Sequence, residues 1–255
     1  MSYKLLDIKE FKKYIDGLKI TRKINAVQLH HTYAPAYAQF KGDNHLTLQN
    51  NMKNFHVKSR GFTDIAQTFT IFPDGKICTG RDINKAPAGI YGANTNGICI
   101  ECIGNFDVGG DAMSDAQKDA IVGVTKILLD KFGLDARTGV TYHCWWTSGG
   151  TSLGTYVKGK SAKTCPGTNF FGGNTKDSYI KNLMPLILNY GKEEKKMNEN
   201  IVYNSIGEVP EWARPTIAKL VEKGYLKGDE SGKLNLDTSM IRILVIIDRT
   251  GIFDN

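Results

Sequence analysis

The stretch Ala26-Val27-Gln28-Leu29-His30-His31-Thr32 constrains this chain more than any other. Read as a strand, successive side chains point to opposite faces. Val27, Leu29 and His31 then share one face, and Gln28, His30 and Thr32 share the other. The apolar set belongs to a core, so His31 goes inward with it and His30 goes to the polar side. An imidazole delivered toward a cleft from the end of a buried strand can ligate a metal. It can equally be a structural histidine, and the partners available elsewhere in the chain decide between the two.

At 255 residues the chain is long enough for one large domain or a medium one with an appendage. No apolar run approaches the length of a membrane span. Charges stand where a signal peptide needs its hydrophobic region, so the expectation is a protein made in the cytoplasm that leaves, if at all, by another route. Five cysteines, at 78, 99, 102, 144 and 165, are an odd number and predict reduced thiols rather than a disulfide framework. Cys99 and Cys102 face opposite ways on a strand, so their C-x-x-C spacing does not make a shared metal site. The net charge of +7 is uneven: from residue 197 onward seven basic residues meet nine acidic ones, which leaves +9 on residues 1–196. A basic body suits a polyanion such as nucleic acid or an anionic cell wall, or serves solubility alone. The chain carries no nucleic-acid-binding motif, so no nucleic-acid partner is expected.

Apolar spacing predicts a helix over 6–18, the strand at 26–32, a helix over 47–58, a strand over 65–72 and a hairpin return over 76–79. Gly97 to Gly104 is the most apolar strand, with Cys99, Glu101 and Ile103 on one face. A carboxylate inside such a run is costly to bury unless it is paired or put to use. Ser114 caps a helix through Phe132 with Gly133 at its end. A short strand reaches His143, and a long Gly- and Ser-rich loop over 147–163 closes on Lys163-Thr164-Cys165-Pro166-Gly167. A last helix covers about 177–190. Residues 191–200 form a polar linker, and 201–255 form a small all-α unit. One of its helices carries Trp212, Ile217, Leu220 and Val221, and the other is capped by Asp237. A unit of that size is marginal alone, so it is expected to dock or self-associate.

Two imidazoles and a thiolate, with a fourth position left open, make a catalytic zinc arrangement. His30, His143 and Cys165 can supply it from strand ends and a loop, with Glu101 as general base and Lys163 as oxyanion donor. The same residues also fit a buried histidine, a core cysteine and a solvated lysine.

Residues 27–172 resemble the zinc-dependent N-acetylmuramoyl-L-alanine amidases of the type-2 family, which includes phage endolysins and peptidoglycan recognition proteins. The resemblance rests on Leu29-His30-His31-Thr32 with Pro35, on the run from Asn54 to Ile65, and on Phe72-Pro73-Asp74-Gly75 leading to Thr79-Gly80-Arg81. It continues through Asn94-Thr95, Ile100-Glu101, Gly104-Asn105-Phe106-Asp107, His143 and Lys163-Thr164-Cys165-Pro166-Gly167. It implies a mixed α/β fold, a central sheet flanked by helices with zinc in a surface groove. Residues 1–190 are then the catalytic domain, with His30, His143 and Cys165 as metal ligands. Glu101 matches the carboxylate, and Lys163 the oxyanion lysine, of bacterial and phage members. Gln67 stands where animal recognition proteins place a catalytic tyrosine, which argues for the Glu101 mechanism. The implied reaction is hydrolysis of the amide between N-acetylmuramic acid and L-alanine in peptidoglycan, by an endolysin or autolysin that reaches the wall through a holin-type pore or lysis. A module that binds peptidoglycan without cutting it is the rival reading, and loss of a ligand is the usual route to it.

The tail resembles one surface-layer homology motif (Trp212-Ala213, Ile217, Leu220, Gly224, Gly228, Gly232, Leu234, Arg242), with Leu244 where an acidic residue is expected. Such motifs bind wall polysaccharide; an oligomerising role is the alternative. Lys192-Glu193-Glu194 can be encoded by a purine-rich ribosome-binding sequence just upstream of Met197. A separate tail fragment started there and assembling with the full chain is a further expectation.

Overall fold

The computed structural model describes residues 2–192 and 201–253. It divides into two compact units, residues 1–190 and 191–255. Met197 and most of the expected linker lie outside the described residues.

The first unit is built on a six-stranded mixed sheet. Its strands are β1 (Leu5–Leu6), β2 (Ala26–His31), β3 (Phe69–Ile71), β4 (Ile77–Thr79), β5 (Gly97–Cys102) and β6 (Val140–Tyr142), in the order β1-β4-β3-β5-β2-β6. β2 runs parallel to both β5 and β6, and β3 parallel to β5, while β4 is antiparallel to β3 and β1. The parallel centre explains why β2 and β5 are buried along nearly their whole length.

Side-chain alternation sorts the two faces. Val27 and Leu29 of β2 join Ile98, Ile100 and Cys102 of β5 in the main core, with Phe11, Ile121, Val124 and Leu128 packed on them. Phe11 belongs to α1 (Ile8–Gly17), and the other three to α3 (Asp115–Phe132). The opposite face carries a smaller cluster, Leu48, Met52, Ile65, Phe72, Cys78 and Ile103, covered by α2 (His45–Asn54) and its π-helical extension Phe55–Ser59. On that second face Gln28, His30, Cys99 and Glu101 are brought together.

Local chemistry sets the helix ends. Asp7 and Glu10 form a reciprocal capping box, each side chain accepting the other's backbone N–H at 2.8 Å. The helix therefore starts at Ile8, and Leu5–Leu6 become the edge strand β1 instead of its first turn. Ser114 accepts from the Gln117 N–H at 3.1 Å, and Gly133 ends α3 in the left-handed region at φ +62°. The helix α4 runs from Lys176 to Asn189 through a π-helical middle, Tyr179–Leu183.

One strand expectation fails. The alternating pattern over 65–72 predicts a strand, yet only Phe69–Ile71 pair as one. Ala66 donates to His56 Nδ1 and accepts from Ala88, so its backbone bonds outside the sheet, and Thr68 meets β5 through the Cys99 carbonyl without extending the strand.

In the second unit, α5 (Arg214–Glu222) and α6 (Thr238–Asp248) pack Ala213, Ile217, Ile241 and Val245 into a small core with Val209 and Leu236. Asp237 caps α6 through the Met240 N–H at 2.8 Å. Two corrections apply. The tail is not purely helical, because β7 (Val202–Tyr203) pairs antiparallel with β8 (Leu236–Asp237). Trp212 precedes α5 and is 51% exposed, so it is no part of the helix's buried face. Among the described residues no helix is long and apolar enough to cross a membrane.

Candidate metal centre

Register places the first two groups. The parallel ladder sets His30 of β2 opposite Glu101 of β5, with His30 Nδ1 3.9 Å from Glu101 Oε1. His143 follows β6 directly, where the strand gives way to the 3₁₀ turn His143–Trp145; its ring centroid is 5.0 Å from that of His30. Cys165 comes from a tethered loop. Its carbonyl accepts the Cys144 N–H at 2.8 Å, and Asn174 Nδ2 holds the Thr164 carbonyl at 2.8 Å. Asp107 takes the Thr164 hydroxyl at 3.0 Å and the Thr168 N–H at 2.9 Å.

The ligand atoms of His30, His143 and Cys165 all lie within 4.8 Å of one another. Nδ1 of His30 and Sγ of Cys165 are 3.5 Å apart. Nitrogen and sulfur at ordinary bond lengths on one tetrahedral zinc stand about 3.6 Å apart, so the pair fits a single ion. Cys99 also approaches His30 and Glu101. Cys102, by contrast, faces the main core, as alternation predicts. All five cysteines are free.

Burial sets the electrostatics. It drives the His30 imidazole well below its ordinary pKa, with His143 and Lys163 adding to the effect, and it lowers His143 to about 4. Both rings are therefore neutral at pH 7 and offer lone pairs. Burial, reinforced by Glu101, keeps Cys165 a thiol in the absence of a cation, so metal uptake must displace its proton. Burial also pushes the Glu101 carboxyl up to about 8, against the pull of Lys163. A carboxyl so raised, with 17% of its side chain accessible, is suited to carrying a proton.

These groups line a groove of about 880 Å³ together with Lys163, Gln67, Arg60 and Ala162. Tyr33, Phe55 and Tyr91 stand on its walls, 61%, 56% and 73% exposed. Lys163 is exposed on the same loop as Cys165. His31 stays out of the cluster: it is buried, and its Nδ1 accepts the Phe106 N–H at 3.1 Å.

Sequence reasoning misses a buried relay behind the groove. Gln49 Nε2 donates to the Thr79 carbonyl (3.0 Å), Thr70 Oγ1 donates to Gln49 Oε1 (2.7 Å), and Gln67 Nε2 donates to Thr70 Oγ1 (2.9 Å). The carbonyl at one end fixes every donor along the line, and Gln67 Oε1 is left as an acceptor without a partner among the described residues. Thr70 pairs in register with Glu101, which places the relay beside it.

The model of the family described as Amidase_2, N-acetylmuramoyl-L-alanine amidase, matches residues 20–168. The chain belongs to that family. It is 35% identical over 107 residues to peptidoglycan-recognition protein LB of Drosophila melanogaster, covering 41% of this chain and 46% of that protein. It is 30% identical over 104 residues to peptidoglycan-recognition protein 1 of Holotrichia diomphalia, covering 40% and 52%. The chain thus spans about half the length of these curated relatives. Among solved structures, the endolysin N-acetylmuramoyl-L-alanine amidase LysCS from Clostridium intestinale aligns with a TM-score of 0.43 at 22% identity, covering 58% of this chain and 78% of that one.

Proposed function

We propose that this member of the amidase family is a zinc-dependent peptidoglycan hydrolase that cuts the amide between N-acetylmuramic acid and L-alanine. The observation that carries the reading is the convergence of His30, His143 and Cys165 in one groove, with Glu101 3.9 Å from His30. Zinc held by these three residues would supply a Lewis acid for the scissile carbonyl and would lower the pKa of water toward about 7.

The chain's own groups account for the remaining chemistry. Glu101 takes a proton from the attacking water and returns it to the departing amine of alanine. Lys163 lines the groove and donates to the oxyanion of the tetrahedral intermediate, a contribution of about 3 kcal/mol for one well-placed donor. The exposed rings of Tyr33, Phe55 and Tyr91 offer flat apolar faces to sugar or peptide. Loss of a ligand is the usual route to the rival reading, binding without cutting, and the chain carries all three candidate ligand residues.

The tail would bind wall polysaccharide or a second copy of the chain, including a fragment started at Met197. The enzyme would act as an endolysin or autolysin, reaching the wall after holin-type release or lysis.

The test is release of new L-alanine N-termini from purified cell walls by chelated and by zinc-restored protein, beside Glu101→Gln. Amine release that needs zinc and vanishes in the variant supports the reading. Stoichiometric zinc binding with no release from any wall type would favour the binding module.

A further inference from the structure

Gln28 and His30 share one face of β2 two residues apart, and both side chains are buried, at 0% and 2% exposure. Each ends in a polar atom with no hydrogen-bond partner among the described residues: Gln28 Oε1 and His30 Nε2. One is an acceptor. The other is a donor whenever His30 is neutral with its Nδ1 lone pair free.

Both atoms border the same small space. A methyl group built on Gly89 would lie 2.5 Å from Gln28 Oε1 and 3.0 Å from His30 Nε2, with Cys99 Sγ at 2.7 Å. The Gln28 carboxamide is not free to turn over. Its Nε2 donates to the Ala93 carbonyl at 2.9 Å, and Gly97 leaves just enough room for it on the other side. That bond requires Nε2 on the Ala93 side, so Oε1 is turned to the space beside Gly89 that His30 Nε2 also borders.

His30 Nδ1 points the other way, toward Cys165 Sγ and Glu101. A metal shared with Cys165 therefore takes Nδ1, and the ring proton must sit on Nε2. A buried N–H without an acceptor is costly, and so is a buried amide oxygen without a donor. We infer that Gln28 is the positioning residue of the metal centre: the two atoms, not bonded to each other in this structure, close on one another when the metal binds, so that Gln28 Oε1 accepts the His30 Nε2–H and holds the Nδ1 lone pair toward Cys165. The inference rests on the metal-centre reading and extends it. Outer partners of this kind set the tautomer and orientation of a ligating histidine.

The test uses the full chain and zinc. Long-range ¹H–¹⁵N spectra of the zinc-loaded protein should show His30 protonated at Nε2, with slow exchange of that proton. Gln28→Met keeps the volume and removes the acceptor. It should weaken zinc binding about 10- to 100-fold in competition with a chromophoric chelator and speed exchange of the Nε2 proton. Zinc affinity within twofold of the parent would overturn the inference, as would an unprotonated Nε2 in the loaded parent, a measurement that needs no variant to fold. If the parent binds zinc and responds in this way but cuts no cell wall, the role of Gln28 stands while the hydrolase reading falls. If the parent binds no zinc, both fall.

Discussion

Gly167→Ala tests how the Cys165-bearing loop is held. Gly167 sits at φ +121°, and a methyl group added there would lie 2.4 Å from both the carbonyl carbon and the oxygen of Phe106. Phe106 cannot retreat. Its ring is buried in the main core, its N–H is bound to His31 Nδ1 at 3.1 Å, and its carbonyl accepts the Asn169 N–H at 2.8 Å. Ordinary contact begins near 3.4 Å, so the loop must lift by about 1 Å and carry Cys165 and Lys163 with it. Overpacking of this kind costs about 1–3 kcal/mol, and the left-handed backbone adds about 1 kcal/mol. At about 2–4 °C per kcal/mol, the zinc-free protein should melt roughly 4–16 °C lower. A ligand shell held to within about 0.5 Å does not survive such a shift, so zinc affinity should fall as well. Gly109→Ala separates the two causes, because Gly109 has φ +84° but nothing within 4 Å of the added methyl. It should show the backbone cost alone and leave zinc binding unchanged. Equal melting losses in the two variants, with zinc affinity intact in both, would refute the idea that the loop is pressed on Phe106.

Three further outcomes follow from the same geometry. Lys163→Ala should lower kcat on cell walls about 100- to 1000-fold while leaving stoichiometric zinc uptake intact, as steady-state kinetics and metal analysis can show. Ser114→Ala removes the cap of α3 and should cost about 1 kcal/mol, seen as a melting shift of roughly 2–4 °C. In the tail, hydrogen bonds from Ser231, Lys233 and Asn235 lower the Asp229 carboxyl from 3.8 to about 2. Its folded pKa lies below its unfolded one, so its contribution is complete above about pH 4 and is lost as pH falls toward 2. Protection of the Ser231 and Lys233 amides, taken against their intrinsic exchange rates, should fall across that window, and Asp229→Asn should remove that fall.

The sequence disclosed the elements whose signals are local. The Ser114 cap and Gly133 stop bound a helix that the structure reproduces residue for residue, because capping chemistry is written in neighbouring positions. Alternation along β2 and β5 separated His30 and Glu101 from the main core, because both strands are buried on two faces and keep strict parity. Where long-range bonding decides, the reading failed. Ile65 to Thr68 alternate like a strand, but the backbone groups of Ala66 are taken by His56 and Ala88, and the Gln67 and Thr68 carbonyls by Arg81 and Gly80 beyond the end of β4. The ladder of Val202–Tyr203 with Leu236–Asp237 is two residues long and has no period to detect. The Gln49–Thr70–Gln67 relay and the clamp of Asp107 on Thr164 and Thr168 depend on the packing of α2 and of the Cys165 loop, which no spacing announces. Gln28 was half visible: its parity with His30 was plain, but its role needed the fold of Gly89 beside both.

The most direct test of the metal centre is zinc K-edge absorption of the purified, zinc-loaded protein. The account predicts one sulfur at about 2.3 Å and two imidazole nitrogens at about 2.0–2.1 Å, with Cys165→Ser removing the sulfur shell and nothing else. A zinc shell without sulfur, or one unaltered by Cys165→Ser, would contradict it.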